Sequence, residues 1–224
     1  MKDRIGNQMT VPVGGQIRAW RRANRRMRWK IPAAAFEAIA PPPELSDGDR
    51  RDGYTERVLC HGFGDDGRGH ADPIASAGRS WDYARKTRRK KTWRCEYIEF
   101  DTTEHVRLRP GAPARPRGFY FVRFNPGIKY RRSTVRQVRC ALGGDTGCAF
   151  EGLQLLAVTH SHWLEEMNRR HMPFMALADF DVAPFGYGDF YDAPQLFCSD
   201  GVFGLGIGHV DRVYPLFAVP LLRF

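Results

Sequence analysis

From Gln16 to Lys30 the chain reads QIRAWRRANRRMRWK, with Ile17, Trp20, Ala23, Met27 and then Ile31 recurring at helical spacing. That spacing predicts an amphipathic helix whose other faces carry Arg18, Arg21, Arg22, Arg25, Arg26 and Arg28. Pro32 ends it or opens a short helix over PAAAFEAIA, and the prolines at 41–43 stop that second helix. Residues 44–56, ELSDGDRRDGYTE, are polar and turn-rich and read as a linker. The expected organisation is a basic N-terminal arm and linker over 1–57 and one globular domain over 58–224.

Beyond the linker the pattern changes. VLCHGF (58–63), WRCEYIEF (93–100), HVRLR (105–109) and GFYFVRF (118–124) are short, rich in β-branched and aromatic types, and read as strands, the last of them buried. A helix is expected within 72–91, and another over 133–144 with Ser133 as cap, Val135, Val138 and Leu142 inward and Gly143 as stop. FMALADFDV (174–182) reads as one strand, and from 195 onward short strands alternate with glycine turns. Helices and strands are mixed without a regular βαβ order, so the class is α+β: a mixed, mainly antiparallel sheet with two or three packed helices.

The stretch GDTGCAFEGLQLLAVTHSH (144–162) gathers acids, a thiol and two histidines. On a helix starting at Phe150, Leu153, Leu156, Ala157, Trp163 and Leu164 share a face with His160 at its centre, while His162 points about 160° away at ~100° per residue. Asp145 and Thr146 sit where a cap is wanted, and Glu151 falls in the first turn, where its charge suits the helix dipole. Glu165 with Arg169 and Glu166 with Arg170 stand in favourable i,i+4 order. A capped core helix accounts for most of these letters. His160 needs a carbonyl or a carboxylate as partner. Cys148 has no base beside it and reads as a small buried residue.

Charge sharpens the picture. The net charge is +10, yet residues 145–224 carry four basic and ten acidic side chains, leaving 31 basic and 15 acidic in 1–144. Between His105 and Gly144 there are ten arginines and lysines and no acid. Such a split either offers a surface to a polyanion or is neutralised by the chain's own acidic part. Two segments hold seven cations each beside tryptophan: 16–30 with Trp20 and Trp29, and 85–94 (RKTRRKKTWR) with Trp93. Lys and Arg neutralise phosphates and a neighbouring aromatic stacks on a base, so Arg21, Arg22, Arg25, Arg26, Arg88, Arg89, Lys90 and Lys91 are candidate phosphate contacts, with Trp29 and Trp93 as stacking groups.

Other chemistry is thinner. Asp179 and Asp181, two apart on one strand, would lie about 7 Å apart on one face and could hold Mg²⁺ or Mn²⁺ for a hydrolase or nuclease. GDDGRGHAD (64–72) lacks the calcium-loop spacing and reads as a turn. GLGIG (204–208) lacks the dinucleotide form; its alternating glycines leave one strand face bare for something packed close. No run of about 18 apolar residues is present. Five cysteines without repeated spacing argue against a disulfide framework, so a cytoplasmic setting is expected.

In element order alone, the helix at 133–142, the second helix entered through a turn at 148–160 and the strand-rich tail ending LLRF resemble C-type-lectin-like folds. The likeness covers about the last 90 residues and implies no site residues. The leading expectation is a non-catalytic module for a polyanion, RNA or DNA, needing no cofactor. The alternatives are the metal-dependent hydrolase and a small-ligand or protein-binding domain with an incidental basic face.

Overall fold

The computed structural model describes residues 10–88, 91–100, 104–127, 130, 132–163, 174–183, 190–199, 201–213 and 217–224. Helix α1 (Val13–Met27) buries Gln16, Ala19, Trp20 and Ala23 and exposes its arginines, as its pattern predicts. It is fastened to strand β1 (Glu56–Gly62) by polar contacts. Trp20 Nε1 donates to the Leu59 carbonyl at 2.9 Å, and the Gln16 side chain accepts from Leu59 N and donates to the Arg57 carbonyl. The segment expected as an arm therefore contributes Trp20, Ile31 and Phe36 to the same core as β1. The helix stops earlier than Lys30 because Arg28 turns left-handed, φ 56°, and the Asn24 side chain ties both the N–H and the carbonyl of Ile31. Helix α2 (Ala33–Glu37) follows, and the expected linker holds helix α3 (Asp47–Asp52), closed by a capping box between Ser46 and Asp49.

Two sheets are formed by the described residues. The first is antiparallel, in the order β1, β4 (Gly118–Asn125), β11 (Leu221–Arg223), β5 (Thr146–Gly147). The second runs β10 (Phe217–Ala218), β6 (Phe174–Ala176), β8 (Asp192–Ser199), β7 (Phe180–Val182), β3 (Val106–Leu108), and β8 also pairs β9 (Val202–His209), which carries β2 (Thr92–Arg94) at its far edge. Among the described residues only β10 with β6 and β2 with β9 are parallel. Helix α4 (Pro73–Arg88) packs Trp81 against Phe203 of β9. Helix α5 (Val135–Ala141) covers a smaller apolar cluster with Val135 and Val138. The molecule is α+β with mainly antiparallel sheets.

Several local readings change. Thr134, not Ser133, caps α5, in a capping box with Gln137. In β4 only Val122, Phe124 and Asn125 are buried; Phe119, Tyr120 and Phe121 are half-covered. The expected strand over 93–100 pairs only as far as Arg94 and then turns. Helix α6 spans only Phe150–Gln154 and continues as a π-helical turn over Leu155–Thr159, ended where His160 N donates to the Leu155 carbonyl. His160 and His162 are thus not on one continuous helix, and their rings lie 6.1 Å apart. Asp145 and Thr146 do not cap α6, because Asp145 binds Arg223 and Thr146 lies in β5. The pairs at 165–170 lie outside the described residues. The bare glycine face of β9 is filled from β8: a Cβ on Gly204 would meet Phe197 at 1.9 Å, and one on Gly208 would meet Gln195 at 1.3 Å.

Candidate nucleic-acid interface

The charge split resolves into two populations. Within the acid-free segment, Arg109 pairs with Asp179, Arg115 with Glu151 and Asp179, Arg136 with Asp211 and Arg139 with Asp181, all acids of the C-terminal part. Arg117 and Arg123 pair with Asp65 and Asp49, and the Arg107 guanidinium lies 3.6 Å from the Phe190 ring centre. Much of that segment's charge is therefore neutralised within the fold.

The other population is different. Arg21, Arg22, Arg25 and Arg26 are exposed on α1 and have no carboxylate partner among the described residues; Arg21 lies 5.5 Å over the Phe36 ring. The ends of α1 and α4 meet: Arg26 Nη2 donates to the Lys86 carbonyl and Lys86 Nζ donates to the Arg26 carbonyl, both at 2.9 Å. This joins the two basic segments, which lie 60 residues apart. Cations at a helix C-terminus also offset its carbonyl dipoles, so part of this clustering serves the helices themselves. Arg85 has Asp82 beside it at 3.7 Å, an exposed pair of small worth. Arg88 reaches the Ser161 carbonyl and lies 5.5 Å over the Phe203 ring, while Lys91 is exposed. Arg89 and Lys90 lie outside the described residues.

The two tryptophans differ. Trp29 does not stand among the arginines: it is half-buried against Trp20 at 5.9 Å, Phe63 at 5.0 Å and Tyr83 at 5.9 Å. Its remaining face lines a pocket beside the end of α1. Trp93 is 51% exposed on edge strand β2 and is followed across the sheet by Phe197 at 5.7 Å, which is 5.8 Å from Phe174. Trp93 is the exposed end of this row, near Lys91 in sequence; Phe197 and Phe174 are half-buried.

The carboxylate pair is not the arrangement expected. Residues 177–179 turn, so Asp179 precedes β7 and only Asp181 lies in it. Asp179 is fully buried; its Oδ1 accepts from Arg109 Nε at 3.0 Å and its Oδ2 from Arg115 Nη2 at 2.9 Å and from the Thr146 hydroxyl. Asp181 meets Arg139 at 2.9 Å, and burial raises its carboxyl above the ordinary range against that arginine's pull. A divalent cation here would have to displace arginines from both carboxylates. Among the described residues no group of three or more His, Cys, Asp and Glu side chains could hold a metal.

Sequence reading missed the centre of this cluster. Arg115, from a Pro/Gly loop, is wholly buried and links Glu151, at 2.8 Å, to Asp179; Tyr120 also donates to Glu151. Cys148 is buried beside it and burial pushes its thiol up, which makes it a poor nucleophile. Buried His160 finds Thr159 Oγ1 at 2.8 Å and Glu56 at 3.9 Å. Asp65 and Asp66 accept from backbone N–H groups of Gly67, Arg68 and His70, as a turn requires.

No family model, curated protein or solved structure matches this chain. No helix among the described residues is long and apolar enough to cross a membrane.

Proposed function

We propose that the chain is a non-catalytic polyanion-binding module whose ligand is nucleic acid. The observation that carries this is the meeting of two basic segments through Arg26 and Lys86, with Arg21, Arg22 and Arg25 beside them free of carboxylates among the described residues. Cations that the fold does not neutralise are available to phosphates. The exposed Trp93 adds a surface on which a base can stack. None of the five cysteines is in a disulfide, which suits a reducing, cytoplasmic setting. A hydrolase on Asp179 and Asp181 with Mg²⁺ or Mn²⁺ is disfavoured, since arginines engage both acids.

Fluorescence anisotropy with labelled single-stranded RNA and duplex DNA, titrated in salt on nuclease-treated protein, tests the proposal. Affinity persisting near physiological salt is expected. Arg22→Glu/Arg25→Glu should weaken it and flatten the log–log slope by about 0.7 per lost contact on a single strand, or about 0.9 on duplex. Binding absent at all salt concentrations, or indifferent to this double substitution, would overturn it.

A further inference from the structure

Directly after α1, the chain folds back over the end of β1 and lines an open pocket of about 390 Å³. Its volume lies near the lower end of the roughly 300–1,000 Å³ that small-molecule sites occupy. Half-buried Trp29 gives it an aromatic wall, against which buried Phe63 packs edge-on at 5.0 Å. Lys30 and Arg117 stand exposed among its lining residues, which include no carboxylate. The Arg117 guanidinium contacts Asp65, but that pair is about half exposed and readily exchanged.

His61 is the unexplained group. It lines the pocket and is only 8% exposed, yet its buried Nδ1 has no hydrogen-bond partner. Its neighbours are rings: Phe63 at 4.2 Å, Phe119 at 4.6 Å and Trp20 at 5.9 Å. Burial, helped by the Arg79 charge, pushes its pKa down to about 4, so the imidazole is neutral near pH 7. A neutral imidazole carries one donor and one acceptor, and buried polar groups without partners are rare in folded proteins. An aromatic wall, the imidazole ring beside it and a cationic rim together suit a planar heteroaromatic group joined to an anion.

We infer that this pocket binds a nucleotide, its base against the uncovered face of Trp29 beside His61 and its phosphate at Lys30 and Arg117. This rests on the nucleic-acid reading for one of two sources, an unstacked base of a single strand running along the α1 arginines. The other source, a free mononucleotide, is independent of that reading.

The test uses the full chain. Isothermal titration with AMP, GMP, CMP and UMP is compared with ribose 5-phosphate, which lacks a base, and anisotropy follows a short single-stranded RNA. Ala35→Trp fills the pocket from half-exposed α2, and His61→Phe keeps the ring while removing both nitrogens; circular dichroism verifies each fold. At least one mononucleotide should bind at least about fivefold tighter than ribose 5-phosphate, the low end of what stacking one base contributes. Both substitutions should abolish or weaken that preference; if Ala35→Trp does not fold, His61→Phe decides. Loss of RNA affinity in the pocket variants at unchanged salt slope assigns the pocket to a strand's base. Mononucleotide binding without any RNA binding supports the pocket and overturns the module proposed above. No mononucleotide binding up to millimolar concentration, with RNA affinity unchanged in the pocket variants, overturns the pocket.

Discussion

Replacing Arg115 by methionine should cost this fold more than any surface change. The guanidinium is wholly buried and makes four contacts: Nε to Glu151 at 2.8 Å, Nη2 to Asp179 at 2.9 Å and to the Gly147 carbonyl at 3.1 Å, and Nη1 to the Pro113 carbonyl at 2.6 Å. Methionine fills similar space but leaves both carboxylates without their shared cation. Asp179 retains Arg109 and Thr146, and Glu151 retains Tyr120 and Ala149 N, so neither is stripped completely. Removing one partner of a buried ion pair typically costs about 3–5 kcal/mol. Urea unfolding followed by tryptophan fluorescence reads this directly. With a slope near 2 kcal/mol/M, the midpoint should fall by about 2 M. Arg115→Met/Glu151→Gln/Asp179→Asn should recover part of the loss, because the uncompensated charge is gone. A fall below about 0.5 M at unchanged slope for the single substitution would refute the reasoning, since surface substitutions act on that scale.

Two further outcomes follow from the core. His61 stays neutral in the fold down to about pH 4, whereas in the unfolded chain it takes a proton near 6.5. Between those values the unfolded chain binds more protons, so stability falls as pH falls, by about 3 kcal/mol across the window. Urea titrations at pH 7 and pH 4.5 should show this, and the same acid loss in His61→Phe would count against it. Gly204→Ala would place a methyl 1.9 Å from Phe197 Cζ and should lower the urea midpoint, while Phe197→Ala in the same chain should relieve part of the loss. Equal and additive losses would show that the two residues do not oppose each other.

Local patterns in the sequence reached what local forces decide. The Trp20 face of α1, strands β1 and β4, and the inward Val135 and Val138 of α5 all follow from spacing, and each is found. Long-range contacts set the rest. The turn at 177–179 breaks an apparently continuous strand because Asp179 N donates to the Cys148 carbonyl and its carboxylate reaches Arg115, 64 residues away. Nothing in FMALADFDV encodes that partner. Likewise Arg26 and Lys86 read as two separate charge runs, and only the packing of α1 beside α4 brings them together. The pocket draws on residues 29–35, 61–64 and 117–118, none of which carries a recognisable motif.

Strand β11 has a consequence for the order in which the fold can be completed. It lies between β4 and β5, and its Arg223 binds Asp49, Asp52 and Asp145, the first of these 174 residues earlier in the chain. A ribosome must therefore release residue 223 before one edge of β4 and all of β5 find their neighbour. Until then the nascent chain presents an unpaired strand edge, the feature most open to wrong partners. Contacts of such separation close slowly, so the final locking of this sheet should be a late event in folding.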